Sequence, residues 1–338
     1  MRLPLSRMLV LSAGVAGFAA AAAAATPTYS VTKQIAGPDG GWDYTSVDPA
    51  DHMVYVAHDA SVLAIDLAGG DRVTTFGTIA HAHAVVPIAG QHLLLVTSGH
   101  DATVRLFDTN TRQQVASLSV GNDPDGAVYD ASTGMAAVMN AKSGSASIID
   151  VTARKVVRTI PLMSGLEFPQ FGAGDRLFVN NEDHNVIETA NVATGKAGPT
   201  IALTGCTAPS GLGYDAKTGQ LISACDNGKA AVVDARTMKL THLIDIGDGP
   251  DAVIMDAPHR RAYIPCGGSG TLTIVSLDGP HGAHVVGKVR TARGARTGAI
   301  DPATRDIYLP TATPTTPPPG EHHAYRPGTF RVLKLSRR

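Results

Sequence analysis

Charge, aromatic rings and cysteine are all scarce in this chain of 338 residues. Charged residues make up 17%, and 28 Lys plus Arg stand against 29 Asp plus Glu, a net charge of −1. So even a balance leaves no basic footprint for a nucleic-acid backbone or an anionic membrane. The single tryptophan, Trp42, cannot build a stacking groove for single strands. Three cysteines, the first at Cys206, exclude a lipid-modified cysteine near the N-terminus and a C-x-x-C-H haem attachment. Also missing are a G-x-S-x-G elbow, a glycine-rich phosphate loop and an EF-type calcium loop. What is abundant is Gly (36) and Pro (21), with 43% apolar residues. That composition suits a globular core built from strands and tight turns, and it lacks the Glu/Lys/Arg/Leu mixture of amphipathic helices.

The N-terminus reads as an export signal. Arg2 and Arg7 precede an apolar stretch from Met8 to Ala25, and Ala23-Ala24-Ala25 before Thr26 supplies the small residues a signal peptidase requires. The stretch is at the short edge of a membrane span and rich in weakly partitioning Ala and Gly. Residues 1–25 are therefore expected to be a cleaved signal peptide by the general route. The mature chain, 26–338, is then periplasmic or secreted without a transmembrane segment, in a compartment that permits disulfides.

A repeat of about forty-two residues follows. A β-branched run ending in a polar residue and a turn recurs at Asp66, Asp108, Asp150, Asn191, Asp234 and Ser276, at intervals of 42, 42, 41, 43 and 42. Upstream in each unit lies a second anchor, such as DGAVYDAS, SGLGYDAK or RTGAIDPA, and seven of these are legible. Each unit holds four short β-type runs, which is a four-stranded antiparallel sheet too small to bury both faces alone. Radial repetition buries face on face, so the expected fold is an all-β, seven-bladed β-propeller. After a last strand over Phe330–Leu335 too few residues remain for a fourth strand. The run Tyr29–Ile35 should cross over and close the last blade as its outer strand.

These units resemble the YVTN-type β-propeller repeats of the YncE-like family along essentially the whole mature chain. The stretches that carry the resemblance are VGNDPDGAVYD, CTAPSGLGYD with LISACDNGKAAVVDA, IGDGPDAVIMD, RGARTGAIDP and PGTFRVLKL. It implies the propeller fold and an extracytoplasmic binding or surface role, and no particular chemistry. Blade four departs from the pattern, reading GLEFPQF where the family more typically sets Pro before the acidic residue.

In a propeller the segment leading into each inner strand opens on one loop-rich face. The residues at that position are Asp43, His83, Asp125, Glu167, Ser210, Asp251 and Arg296, spaced 40, 42, 42, 43, 41 and 45 apart. Two readings compete: a shared ligand site at the channel mouth, in which crowded carboxylates take a cation, or separate turn caps in each blade. His81 and His83 form a His-x-His pair that on a strand would share a face. With Asp43 and Asp125 they are candidate ligands for a divalent metal, the one cofactor suggested, and His58, His100 or Asp101 is a possible third ligand. Solvated loop histidines are the plainer alternative. Cys206 and Cys225 fall at one end of a single hairpin and are expected to form a disulfide, leaving Cys266 as a buried thiol. The Pro-rich insertion 311–328, with Glu321, His322, His323, Tyr325 and Arg326, either covers the mouth or is an idle surface loop.

The reading these features favour is a non-enzymatic extracytoplasmic propeller that binds a small ligand or partner protein at its loop-rich face. Its rival is a metal-assisted, lactonase-like hydrolase in which Asp43, Asp125, Asp251 or His83 holds an ion that activates water. A subunit of an extracytoplasmic oxidoreductase is a third reading, without a visible cofactor motif.

Overall fold

In a computed structural model describing residues 28–316 and 324–338, strands of two to eight residues alternate with tight turns, and the helices are two short 3-10 turns. Residues 1–25, expected to be a signal peptide, and Glu321, His322 and His323 lie outside the described residues. The strands form seven antiparallel sheets. Blade 1 runs Thr45–Asp48, Met53–His58, Ser61–Asp66 and Arg72–Phe76, and blades 2, 3, 5 and 6 repeat that order from inside outwards. Blade 4 departs from it at the rim, where the outer strand is split into Lys196–Ala197 and Ile201–Ala202 around Pro199.

Blade 7 contains Ala299–Ile300, Ile307–Thr311 and Arg331–Arg337, and Tyr29–Ala36 is its outer strand. That strand pairs antiparallel with Arg331–Arg337, from Tyr29 opposite Arg337 to Ala36 opposite Arg331, so the N-terminal strand closes the ring as expected. The last strand starts and ends later than the sequence pattern suggests, and Phe330, just before it, packs against Trp42.

Burial follows the blade order. The second strand of each blade is almost wholly buried, whereas outer strands such as Arg72–Phe76 and Gln114–Ser119 alternate with solvent. Among the described residues the apolar core divides into seven clusters, each spanning at least two neighbouring blades. No blade has a core of its own, which is the physical reason the unit must be repeated and closed. Tyr29 and Ile35 of the closing strand insert on opposite sides of blade 7, toward blades 6 and 1.

Cys206 and Cys225 form a disulfide, with Cα atoms 5.4 Å apart, inside the cluster between blades 4 and 5. Cys266 occupies the corresponding place one blade later, where no second cysteine faces it. It is a buried thiol, burial pushes it up from the usual thiol range, and its Sγ lies 3.3 Å from the Ile264 carbonyl.

The repeat signal read from the sequence proves to be a turn device. The carboxylates or amide of Asp66, Asp108, Asp150, Asn191 and Asp234 each accept the backbone N–H of a residue two or three positions on. Asp48, Asp130, Asp215 and Asp301 do the same where the inner strand turns back. A short polar side chain folding onto its own turn recurs at these hairpins because the geometry recurs.

Candidate functional site

The mouth is built where each inner strand begins. In blades 2 to 5 the ladder between the inner two strands carries one extra residue on the inner strand, between Ala82 and Val85, Pro124 and Ala127, Leu166 and Pro169, and Pro209 and Leu212. His83, Asp125, Glu167 and Ser210 fall inside these bulges. The bulge releases them from pairing and re-aims their side chains. Glu167 therefore takes the same register as its counterparts, although Leu166 replaces the proline found at 124 and 209. Neighbouring rims are tied backbone to backbone: the Tyr44 N–H donates to the His83 carbonyl and the Asp251 N–H to that of Arg296. Gly211 has no room for a side chain, since a Cβ there would lie 2.5 Å from Cα of Ala252.

All seven expected rim residues face one opening. Asp43, His83, Asp125, Glu167, Asp251 and Arg296 line a cavity of about 1000 Å³. A neighbouring cavity of about 880 Å³ shares Glu167, Asp251 and Arg296 and adds Ser210. Turn capping does not describe these residues. Asp43 Oδ2 lies 2.9 Å from His83 Nδ1, Glu167 accepts from the hydroxyls of Tyr44 and Ser210 at 3.1 Å each, and Asp251 is held by Ser210 and Arg296. Their partners are side chains of other blades, not the N–H groups of their own turn.

Crowding and burial reshape their charge. Burial pushes Asp125 up to about 7, reinforced by Asp43 and Asp251 and opposed by His83. Glu167 is also raised well above the usual carboxylate range, by burial first and then by Asp125 and Asp251. Burial alone would lower His83. Asp125, Asp43 and Asp123 outweigh it and hold the imidazolium up to about 10. Each guanidinium nitrogen of Arg296 is engaged: Nε donates to Asp251, Nη1 to Tyr325 Oη and Nη2 to the Trp42 carbonyl. It therefore acts as a strut that fixes the rim and the insertion.

Among the described residues of the 311–328 insertion, Pro314 and Tyr325 form an antiparallel bridge. The insertion sets Tyr325 on Trp42, with ring centroids 4.3 Å apart, beside Arg296. Arg326 also lines the larger cavity.

For the metal candidates the outcome is mixed. Ligand atoms of Asp43, His83 and Asp125 lie within 4.8 Å of one another, and His81 is outside that group. The His-x-His argument fails at its first step, because the inner strand begins at Ala82 and His81 precedes it in a left-handed conformation, φ 69°. Its ring meets the His83 ring edge-on and stacks on His100, both at 4.6 Å. His58 is buried against Phe330, and Asp101 is held by Thr103 and Arg105. Two residues escaped the sequence reading. Asp123 lies 3.8 Å from His83 Nε2, and Tyr44 reaches across the mouth to Glu167. The repeat spacing could have found Asp123, two residues before a rim position.

No family model and no curated protein matches this chain. Solved structures match it at the level of fold. The chain titled "Kuenenia stuttgartiensis Hydrazine Synthase" is similar over 80% of this chain and 92% of its own, at 16% identity and TM-score 0.70. The RRP9 WD40 repeats match over 90% and 97%, at 9% identity and TM-score 0.77. A chain of a mitotic checkpoint complex matches over 96% and 100%, at 14% identity and TM-score 0.72. These are likenesses of architecture, the seven-bladed propeller, and similarity this low carries no activity.

Proposed function

We propose that this chain is a YncE-like extracytoplasmic binding propeller, exported by its 1–25 segment to the periplasm or the exterior, whose mouth receives a cationic group of a small ligand or partner protein. The observation that carries the reading is the convergence of seven rim side chains, one from each blade, on one opening. Acids dominate that set. Its one arginine is paired with Asp251 and donates from its other two nitrogens to Tyr325 and Trp42, so carboxylates set the charge of the rim set. Buried carboxylates that repel one another gain most from a positive partner, which relieves the repulsion as it binds. The aromatic wall of Trp42 and Tyr325 suits the apolar body of an amine.

The test is a thermal-shift and calorimetric screen of the mature protein against matched cationic and anionic small molecules. Cationic compounds should raise the unfolding midpoint, and Asp125→Asn and Asp251→Asn should weaken them about tenfold. Stabilisation by anions alone would overturn the reading. A lactonase-like hydrolase is the second reading. It draws support from the Asp43, His83 and Asp125 grouping, and its check is metal-dependent lactone hydrolysis that is lost in His83→Gln.

A further inference from the structure

We propose that the cation site at this mouth is a divalent transition-metal site, with Asp43, His83 Nδ1 and Asp125 as ligands and Asp123 as the outer carboxylate that orients the imidazole. The inference rests on the mouth being a cation site and names the cation.

Three carboxylates from two blades surround one ring. Asp43 Oδ2 is 2.9 Å and Asp125 Oδ2 3.8 Å from Nδ1. The longer separation exceeds a hydrogen bond, and both match the spacing of two ligand atoms about 2.1 Å from a common ion. One imidazole with two carboxylates suits zinc or manganese. Calcium prefers an all-oxygen shell of six to eight ligands, and thiolate-seeking ions find no thiolate here.

The other side of the ring supplies an independent observation. His83 Nε2 is buried and has no hydrogen-bond partner, and it faces Asp123 Oδ1 at 3.8 Å. A ligating imidazole commonly presents its second nitrogen to a carboxylate that fixes the tautomer, and this is that arrangement before it tightens. Asp123 is itself held by Lys142, 3.1 Å from Oδ2. Gly99 leaves the pair its space: a Cβ there would lie 2.8 Å from His83 Nε2 and 2.9 Å from Asp123 Oδ1.

Backbone geometry sharpens the role of Asp123. The position two before the rim residue is left-handed in six blades. It is glycine at 165, 249 and 294, but His81, Asp123 and Ala208 in blades 2, 3 and 5. Glycine meets that conformation without strain, whereas other residues do so at a cost. Two of the three exceptions, His81 and Asp123, flank His83. A carboxylate is thus kept behind the imidazole where the backbone alone would accept glycine.

Equilibrium dialysis of the chelator-treated mature protein against Zn²⁺, Mn²⁺ and Ca²⁺ tests this, with unfolding midpoints recorded for every metal-free variant. The expected result is one equivalent of Zn²⁺ or Mn²⁺ in preference to Ca²⁺. His83→Gln and Asp43→Asn should each weaken it at least tenfold. Asp123→Gly should weaken it 10- to 100-fold while leaving the metal-free midpoint unchanged or raised. A merely structural Asp123 would show a lower midpoint with metal affinity intact, which overturns its assignment. Binding that survives His83→Gln is an adventitious metal only and overturns the site, as does preference for Ca²⁺. If organic cations bind at the mouth but metals do not, the metal site falls and the broader reading stands. If neither binds, both fall.

Discussion

Asp125 and Asp130 stand at opposite ends of one seven-residue strand, Pro124–Asp130, and the protein treats them oppositely. Asp130 sits where the chain turns back, accepting the Ser132 N–H and the hydroxyls of Ser132 and Thr133. Those bonds outweigh burial and hold it below the usual carboxylate range. Asp125 sits in the bulge at the mouth, is offered no backbone N–H, and is pushed up to about 7 by burial and by neighbouring acids. Asp215, at the turn end of blade 5, repeats the first case and is held down to about 2: Arg260 and Thr218 overcome burial. Glu167 repeats the second. The acids Asp130 and Asp215 at the turn end are consumed by the fold, whereas Asp125 and Glu167 at the mouth are a cost it carries. A stability cost tolerated at Asp125 and Glu167, two of the converging positions, marks the end where binding belongs.

That contrast yields mutations of opposite sign. Both ends depend on a closed ring, so the largest effect should come from deleting 26–36. Tyr29 and Ile35 then leave two interblade cores and Arg331–Arg337 becomes a bare edge. The loss is on the order of 5 kcal/mol, with a midpoint lower by roughly 10 °C and more aggregation by light scattering.

Next in size, Asp215→Asn strands the buried end of Arg260 and should cost about 2–3 kcal/mol in denaturant unfolding at pH 7. The pH dependence has a definite sign. Asp215 is more acidic folded than unfolded, so its contribution is whole above about pH 4 and fades as pH falls toward about 2. The gap between wild type and Asp215→Asn should close over that window.

Asp130→Ala removes a turn cap and should destabilise by about 1 kcal/mol. The smallest effect carries the opposite sign. In metal-free buffer at neutral pH, Asp125→Asn relieves repulsion without breaking a cap, and should stabilise by about 0.5–1 kcal/mol. If Asp125→Asn destabilised the chain as Asp130→Ala does, the distinction between the two ends would fail.

Much of this was legible from residue spacing. The forty-two-residue period, the four strands per unit and the crossover of the run Tyr29–Ile35 follow from patterns that any radial stack of small sheets must show. So does the pairing of Cys206 with Cys225, since one hairpin brings them to the same end. The seven rim positions were legible too, because each blade places them at the same register. Their relation to one another was not. Spacing cannot distinguish an Asp that caps its own turn from one that meets an imidazole of another blade. His81 shows the same limit: alternation suggested a shared strand face, and a left-handed backbone places it elsewhere.

The sequence by itself determined the repeat, the blade count and the turn chemistry, because each rests on contacts between residues close in the chain or on a period repeated along it. The tertiary structure alone decided that Asp43, His83, Asp123 and Asp125 gather at one mouth, that Arg296 is spent on Asp251, Tyr325 and Trp42, and that the insertion brings Tyr325 onto Trp42. Those contacts join residues from different blades, or a rim to the insertion of its own blade. Closing the ring sets their distances, and burial in that closed ring sets their charge.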